Sequence, residues 1–476
     1  MRLDQLFDGL GEVLPDVEIS AMALDDRVVA PGTLFCCVPG FERDGHDFAA
    51  SAVAHGASAL LAERSLDLGV PEVVVEDVRS AIAPAAAKLN GDPTGTLQMA
   101  GITGTNGKTT TAFLTRALLE ADGHSTGLLG TVEQIVGGAR EATVRTTPEA
   151  IELQRCFAQM VAAGDEACVM EVSSHAIALH RSDAIEWDVT VFTNLSREHL
   201  DFHADMDEYF AVKSQLLAES AAPSVVNIDD EYGRRLAAAL PHVVTVGIAS
   251  DDADLRASSI VSDSSGTSFT ADGLELRVPL PGDFNVLNAL CAVAAARLLG
   301  VGDAVIPAAL AGAEVAPGRF EPIEAGQGFA AIVDYAHTPD SLENALRAAR
   351  ALTNSRLIVV FGAGGDRDTG KRPQMGRVAS ELADLVIVTS DNPRSEDPAV
   401  IIDAIVGGAV EVGGAELEVI ADRADAISRA VVRAEAGDVV LVAGKGHEQG
   451  QQLADGLVIE FDDATVLRAA LEASAK

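Results

Sequence analysis

Gly101-Ile102-Thr103-Gly104-Thr105-Asn106-Gly107-Lys108-Thr109-Thr110-Thr111 decides how the rest of the chain is read. A modest apolar approach, Leu97 to Ala100, precedes it, and a helix-like run, Ala112 to Leu119, follows. The core, Gly104 to Thr109, is a compact P-loop. The full GxxxxGK[ST] spacing is not met, because its first glycine would fall on Ile102. The chemistry is the same. Glycines let backbone N–H groups turn toward phosphate oxygens, Lys108 neutralises charge, and the Thr109 hydroxyl can hold Mg²⁺. A helix starting at this point directs its positive end at the phosphates. The competing reading is a plain Gly-rich strand-to-helix turn, which has no need of a lysine followed by three threonines.

At 476 residues the chain is too long for one core, and two to four domains are expected. Hydrophobic residues make up 48% and aromatics only 4%, so the core must be built from Ala, Val, Leu and Ile. A formal net charge of −38 disfavours nucleic acid as a partner, since phosphate backbones are held by basic patches. Five cysteines, with Cys36 and Cys37 adjacent and no CxxC, give neither a zinc cluster nor a disulfide framework. A reduced, cytoplasmic setting is expected. Acidic residues stand early at the N-terminus, which does not read as a signal peptide. No apolar run is long enough for stable membrane insertion.

Residues 1–95 are expected to form a small α/β domain with strands at Thr33–Val38, Ala57–Ala62 and Glu72–Glu76 and a hinge at Pro93-Thr94-Gly95. Asp25-Asp26-Arg27 and Gly40 to Gly45 are polar turns that can hold a substrate or simply face water. Residues 96–315 are expected to form a central P-loop domain. Its strands, Ala167–Val172 and Asp188–Thr193, lead into Glu171 to His175 and into Asn194 to His203. Ligands on parallel sheets bind beyond the carboxyl ends of strands, which places Glu171, His175 and His199 at a site. Glu171 can reach Mg²⁺ there. His199 reads either as a ligand or as a hydrogen-bonded structural histidine. A β-hairpin excursion is expected within 251–281. Asn285–Leu299 reads as a helix, and Pro317 to Phe320 as a hinge from which Arg319 can clamp a phosphate.

Residues 316–476 alternate again, giving a third, Rossmann-like α/β domain. Strands at Ala330–Asp334, Leu357–Phe361, Leu385–Thr389 and Val439–Val442 end in polar loops rich in both charges. Arg367 and Arg394 can bind carboxylates bidentately, while Asp391 and Glu448 can receive an ammonium group. A zwitterionic, amino-acid-like ligand suits that set. Arg394 has a blander reading, in which it pairs with Glu396 or Asp397 and ties down its own loop.

Taken together, these segments resemble the Mur ligases that build the peptidoglycan stem peptide. The resemblance is carried by Leu24 to Arg27, the P-loop, Thr146-Thr147-Pro148, Met170 to His175, Asn194 to His203, Tyr209 to Lys213, Pro317 to Phe320, Asp334 to Pro339, Phe361 to Met375, Asp391 to Pro398 and Gly444 to Glu448. It implies a three-domain fold and an ATP-dependent amide ligase working through an acyl phosphate. The substrates it implies are UDP-N-acetylmuramoyl-L-alanyl-D-glutamate and meso-2,6-diaminopimelate, with L-lysine as the alternative amine. A P-loop ATPase acting as a binding or regulatory module is the alternative of another class. A monomer is expected.

The resemblance also implies residue roles. Lys108, Glu171, His199 and a carbamylated Lys213 are the catalytic set, and Thr109, Glu171, His199 and Lys213 the metal set. Gly104 to Thr110, Asn285, Asn288, Arg319, Asp334 and His337 go to ATP. Leu24, Asp26, Phe41, Glu42, Arg43, Thr146, Thr147, Ser173, Leu179 and Arg181 go to the UDP-sugar. Arg367, Asp391, Asn392, Pro393, Arg394, Gly444 and Glu448 go to the incoming amino acid. Two positions depart from the family pattern. Asp26 replaces a usual serine, so it is expected to avoid the diphosphate and to pair with Arg27 or Arg43, or to hydrogen-bond the nucleoside. Leu179 stands where relatives often carry a polar residue.

Overall fold

The computed structural model describes residues 1–8, 14–40, 43–143, 145–263 and 265–474. The chain divides into two compact units. One comprises Met1–Thr103, Gly123–Thr190 and Gln215–Ala222, the other Gly104–Asp122, Val191–Ser214 and Pro223–Lys476.

In the first unit a parallel four-stranded sheet runs in the order Ala21–Ala23, Thr33–Cys36, Ala59–Ala62, Glu72–Val74. Its strands are short because turn residues bound them closely. The inner pair is nevertheless buried throughout, and two apolar clusters pack on the faces. Pro93–Gly95 is a 3₁₀ turn with Pro93 and Thr94 buried. Gln98–Thr103 then pairs in parallel with Ala167–Glu171, which pairs with Thr126–Leu129. Two further strands, Glu133–Val136 and Ala139–Ala142, extend that edge antiparallel.

The second unit holds the helix Lys108–Ala121 and two sheets. In one, Ser224–Asn227, Val243–Gly247 and Leu255–Asp263 run parallel, and Gly266–Ala271 and Leu274–Val278 continue antiparallel. The 251–281 segment is therefore three strands of a sheet, more than the expected hairpin. The alternation in Leu255–Asp263 is mostly serine and charge on its outer face, so an apolar scan passes over it. The other sheet has the order Glu321–Pro322, Ala330–Asp334, Val439–Ala443, Leu357–Phe361, Leu385–Val388, Glu416–Val419, with all but the first strand parallel. Leu357–Phe361, Leu385–Val388 and Val439–Ala443 are buried at every residue. Helices cover both faces, which is why these strands read as unbroken apolar runs. The strand order places the loops after Phe361, Val388 and Ala443 side by side. All five cysteines are free and buried. No helix among the described residues is long and apolar enough to cross a membrane.

Candidate functional site

The phosphate-type loop is built by backbone geometry that side chains would oppose. Gly107 has φ +87° and caps the helix Lys108–Ala121, and a Cβ there would collide with Asn288 Oδ1. Gly104 has φ +144°, and its Cβ would collide with Thr193 Oγ1. Glycine is required at both positions by conformation and by space. Asn106 N donates to Asn194 Oδ1 at 2.9 Å, and Thr105 N to Asn194 O at 2.9 Å. Lys108 Nζ folds back on its own loop, donating to Gly104 O at 2.9 Å and Thr105 O at 2.8 Å.

The sequence-expected nucleotide residues gather around this loop. Arg319 donates to Thr109 Oγ1 at 3.1 Å and lies over the Tyr335 ring, 4.4 Å from its centre. Its Nε is buried with no hydrogen-bond partner among the described residues, as befits a guanidinium awaiting an anion. Asp334 accepts from Phe320 N at 2.7 Å and Ala336 N at 2.9 Å, which fixes the Arg319 loop. Burial pushes the Asp334 carboxyl up against the pull of Arg319. His337 bonds Tyr335 O through Nδ1 at 2.8 Å and Glu198 Oε1 through Nε2 at 2.9 Å. Asn106 Nδ2 donates to Asp340 Oδ2 at 2.7 Å. Asn285 stands one step back, with its Nδ2 on Pro281 O at 2.8 Å and its Oδ1 on Asn288. Thr110 is buried in the helix.

Lys213 is almost fully buried, 1% exposed, on the helix Met206–Ala218. Its Nζ donates to Gly104 O at 2.8 Å, the same carbonyl that Lys108 uses, and it lies over the Tyr209 ring. Burial, and then the Lys108 charge, hold its ammonium well below the usual lysine range against the pull of Glu198. Burial also drives the His199 imidazole down to about 4, with Lys213 and Lys108 adding to it and Glu198 opposing. Burial disfavours the Glu198 carboxylate, but His199, His337 and Lys108 outweigh it and hold Glu198 well below the usual carboxylate range.

Glu171, in the first unit, is buried at the end of its strand and accepts from Thr131 N at 2.8 Å and Thr131 Oγ1 at 2.9 Å. Among the described residues no three His, Cys, Asp or Glu side chains gather as a cage for a metal ion. The donor types still fit Mg²⁺, which keeps waters and substrate phosphates as ligands and needs only one or two protein oxygens. Thr109 supplies a hydroxyl. Lys213 could serve only after its amine had become an anion.

Around Glu171 sit several residues assigned to the UDP-sugar. Thr147 Oγ1 donates to Glu171 O at 3.0 Å and accepts from Ser173 N at 3.1 Å. Thr146 Oγ1 meets Thr131 Oγ1 at 3.1 Å. Arg181 reaches Thr147 O at 3.4 Å and pairs with Glu149 at 2.8 Å, and its Nε is buried without a hydrogen-bond partner among the described residues. Leu179 is the C-cap of the short helix Ser174–Ala178 and is half-buried. Leu24 packs at the edge of an apolar cluster. The expected pairing of Asp26 with Arg27 is not formed. Arg27 pairs with Asp25 at 2.6 Å, because Asp25 caps the 3₁₀ turn Asp26–Val28 and already faces that arginine. Asp26 Oδ2 instead accepts from Ser51 Oγ at 2.6 Å. Arg43 is exposed and its carbonyl accepts from Gly40 N. Phe41 and Glu42 lie outside the described residues.

The third group occupies the neighbouring strand ends of the last sheet. Asn392 Nδ2 donates to Glu448 Oε2 at 2.8 Å. Lys445, fully buried, bridges Asn392 Oδ1 at 2.9 Å and Glu448 Oε2 at 3.1 Å, and lies 3.8 Å from Asp391. Gly444 lies close against the Asp391 carboxylate. Arg394 donates to Gly365 O at 2.6 Å and Gln452 Oε1 at 2.9 Å. It does not pair with Glu396, which Arg372 takes bidentately at 2.7 and 2.8 Å, and Asp397 caps the next helix. Pro393 packs its carbonyl on Gly365. Arg367 stands more open and bonds Asp366 O at 3.0 Å. Burial and then the nearby Arg367 charge pull the Arg394 guanidinium down from its usual range, against the pull of Glu448, Asp391 and Asp366.

Sequence reading missed Lys445, Glu198, Asp340, Tyr335 and Gln452. Only Lys445 carried a local signal, as a lysine between two strand-end glycines with a glutamate three residues on.

Three family models match in order: the Mur ligase family catalytic domain over residues 18–91, the Mur ligase middle domain over 102–296, and the Mur ligase glutamate ligase domain over 318–446. The chain is 46% identical to the UDP-N-acetylmuramoyl-L-alanyl-D-glutamate--2,6-diaminopimelate ligase of Streptomyces coelicolor, over 99% of this chain and 96% of that protein. It is also 46% identical to the ligase of the same name from Geobacillus kaustophilus, over 96% and 95% of the two chains. A solved structure of a UDP-N-acetylmuramoyl-L-alanyl-D-glutamate--2,6-diaminopimelate ligase, 30% identical, superposes with a TM-score of 0.70 over 100% of this chain and 99% of that one. With all three models in order and near full-length relatives at this identity, the chain belongs to the Mur ligase family and has its three-domain α/β architecture.

Proposed function

We propose that this chain joins meso-2,6-diaminopimelate to UDP-N-acetylmuramoyl-L-alanyl-D-glutamate, using ATP and releasing ADP and phosphate. One observation carries the reading from the residues. A phosphate-cradling loop and a cluster of opposite charges, Lys445 on Glu448 with Arg394 held on the adjoining loop, occur in one compact unit. The near full-length relatives bear the name of that reaction.

The dipeptide carboxylate attacks the γ-phosphorus of ATP, the bond to the β-bridging oxygen breaks, and ADP leaves behind an acyl phosphate. The neutral amine of diaminopimelate then adds to the acyl carbon. Collapse of the tetrahedral adduct expels phosphate, and the amine proton is lost to solvent or phosphate. Lys108 and Arg319 hold the transferring phosphoryl group, and their role is to position and neutralise it. Mg²⁺, when bound, spreads the phosphate charge; Thr109, Glu171, His199 and Lys213 would hold it. Lys213 would do so as a carbamate. Burial disfavours its ammonium, and the neutral amine is the form that adds to CO₂ and loses a proton. His199, also kept neutral, has a ring nitrogen lone pair to offer.

Residues 1–95, with Leu24, Asp26, Phe41, Glu42 and Arg43, would take the UDP-sugar together with Thr146, Thr147, Ser173, Leu179 and Arg181. Residues 96–315 would take ATP. Residues 316–476 would take the amino acid through Arg367, Asp391 to Arg394, Gly444 and Glu448. A cytoplasmic location agrees with the ATP and UDP substrates and with five unpaired thiols.

Lysine and diaminopimelate share a stem and a distal amine, so only the distal carboxylate can tell them apart. Arg394 is the side chain suited to reading it. The test is kcat/KM for both amines in wild type and in Arg394→Ala. Wild type should prefer diaminopimelate by roughly 10³-fold or more, since a site built to bond a polar group rejects the analogue lacking it. The variant should lose mainly the diaminopimelate activity. An unchanged preference without Arg394 would refute the assignment.

A further inference from the structure

Beyond the last family-model match, which ends at residue 446, lies a two-stranded antiparallel sheet, Gly450–Gln452 with Val458–Glu460. Its first strand grips the loop that carries Arg394. Side chains alternate along a strand. Gln451 therefore points inward, buried, and donates through Nε2 to Asp391 O at 2.6 Å. Gln452 points outward and is exposed. Its backbone N donates to Asn392 Oδ1 at 2.9 Å, its carbonyl accepts from Arg394 N at 3.1 Å, and its side-chain Oε1 accepts from Arg394 Nε at 2.9 Å.

Two features make this grip matter. Arg394 has φ +52°, a left-handed conformation that a residue with a side chain holds only when its surroundings fix it. The Arg394 N to Gln452 O bond is one of those fixings. An arginine also offers a carboxylate two forks, one side-on through Nε and one Nη, the other end-on through both Nη atoms. Gln452 Oε1 occupies Nε, and Gly365 O takes one proton of Nη1 at 2.6 Å. With Nε occupied the side-on fork is closed, which leaves Nη2 and the second proton of Nη1 for an incoming carboxylate.

We propose that Gln452 is a specificity-determining positioning residue. It turns the Arg394 guanidinium so that its Nη end, and not its Nε side, meets the distal carboxylate of the incoming amino acid. The proposal rests on the reading of Arg394 as the residue that binds that carboxylate. It gives the small sheet a function: one strand holds the base of the recognition loop with residue 451 and its tip with residue 452.

The test is steady-state kinetics on full-length Gln452→Met, which keeps the length and loses the acceptor, with Arg394→Ala run beside it. In Gln452→Met, KM for meso-diaminopimelate should rise roughly tenfold, the worth of one hydrogen bond to a charged group. Its kcat, its KM for ATP and for the UDP-dipeptide, and its use of L-lysine should each stay within about twofold. A fall in kcat shared by both amines would mean that Gln452 merely supports the fold, and would overturn the proposal. An unchanged KM and amine preference in Gln452→Met, with preference lost in Arg394→Ala, would overturn the proposal and leave the Arg394 reading standing. Preference retained in Arg394→Ala would remove the reading beneath it.

Discussion

Lys108→Ala should leave the chain folded and lower phosphate release by a factor on the order of 10³ or more. The fold should survive because Lys108 is the first residue of a fourteen-residue helix and alanine is the better helix former. The hydrogen bonds it loses are to Gly104 O and Thr105 O, carbonyls of its own loop. The positions of Gly104 and Gly107 depend on Thr193, Asn194 and Asn288, all of which remain. What disappears is the lysine charge at the helix start that closes the phosphate cradle. Circular dichroism and phosphate release, measured on the same preparation, separate the two effects. A folded variant with near-normal turnover would take Lys108 out of the mechanism.

Lys213→Ala is expected to be nearly as damaging, with turnover down roughly 10²- to 10³-fold, in the range seen when one preorganised charged group is removed. An ammonium at 1% exposure, sharing a carbonyl with a second ammonium, is an expensive thing to bury. Giving up the proton would remove that cost, and the neutral amine is a nucleophile for CO₂. As a carbamate it would set a negative charge beside Lys108. Acetate or formate at tens of millimolar should restore part of the activity of Lys213→Ala by standing in for the carbamate. Wild-type protein equilibrated with ¹³C-bicarbonate should show a carbamate carbon that the variant lacks. Full activity in wild-type protein whose Lys213 carries no carbamate would end this role.

What was legible in the sequence was local. Gly104, Gly107 and Lys108 announce themselves because their demands, positive φ and a charge at a helix start, fall within a few residues. The strands around Val359, Ile387 and Leu441 were legible because burial on both faces leaves no polar position to interrupt them. Polar contacts across the chain were not. Asn106 meets Asp340 over 234 residues, and Lys445 meets Asn392 over 53. Neither residue of such a pair carries a mark of the other. Asp26 shows the same limit at short range. One of the partners expected for it was the adjacent Arg27, but a cap geometry gave that arginine to Asp25, and Asp26 accepts from Ser51. Lys213 reads as a surface lysine until its helix is seen packed with that face inward; family resemblance, not periodicity, singled it out.

The central claim is a single reaction, and product mass tests it most directly. Wild-type protein is incubated with UDP-N-acetylmuramoyl-L-alanyl-D-glutamate, ATP, Mg²⁺ and meso-diaminopimelate, and the nucleotide products are weighed by mass spectrometry. The expected result is a species equal to the UDP-dipeptide plus diaminopimelate minus water, formed with equal amounts of ADP and phosphate, and absent when any one substrate is withheld. ATP hydrolysis that proceeds unchanged without the dipeptide, with no ligated product, would contradict it.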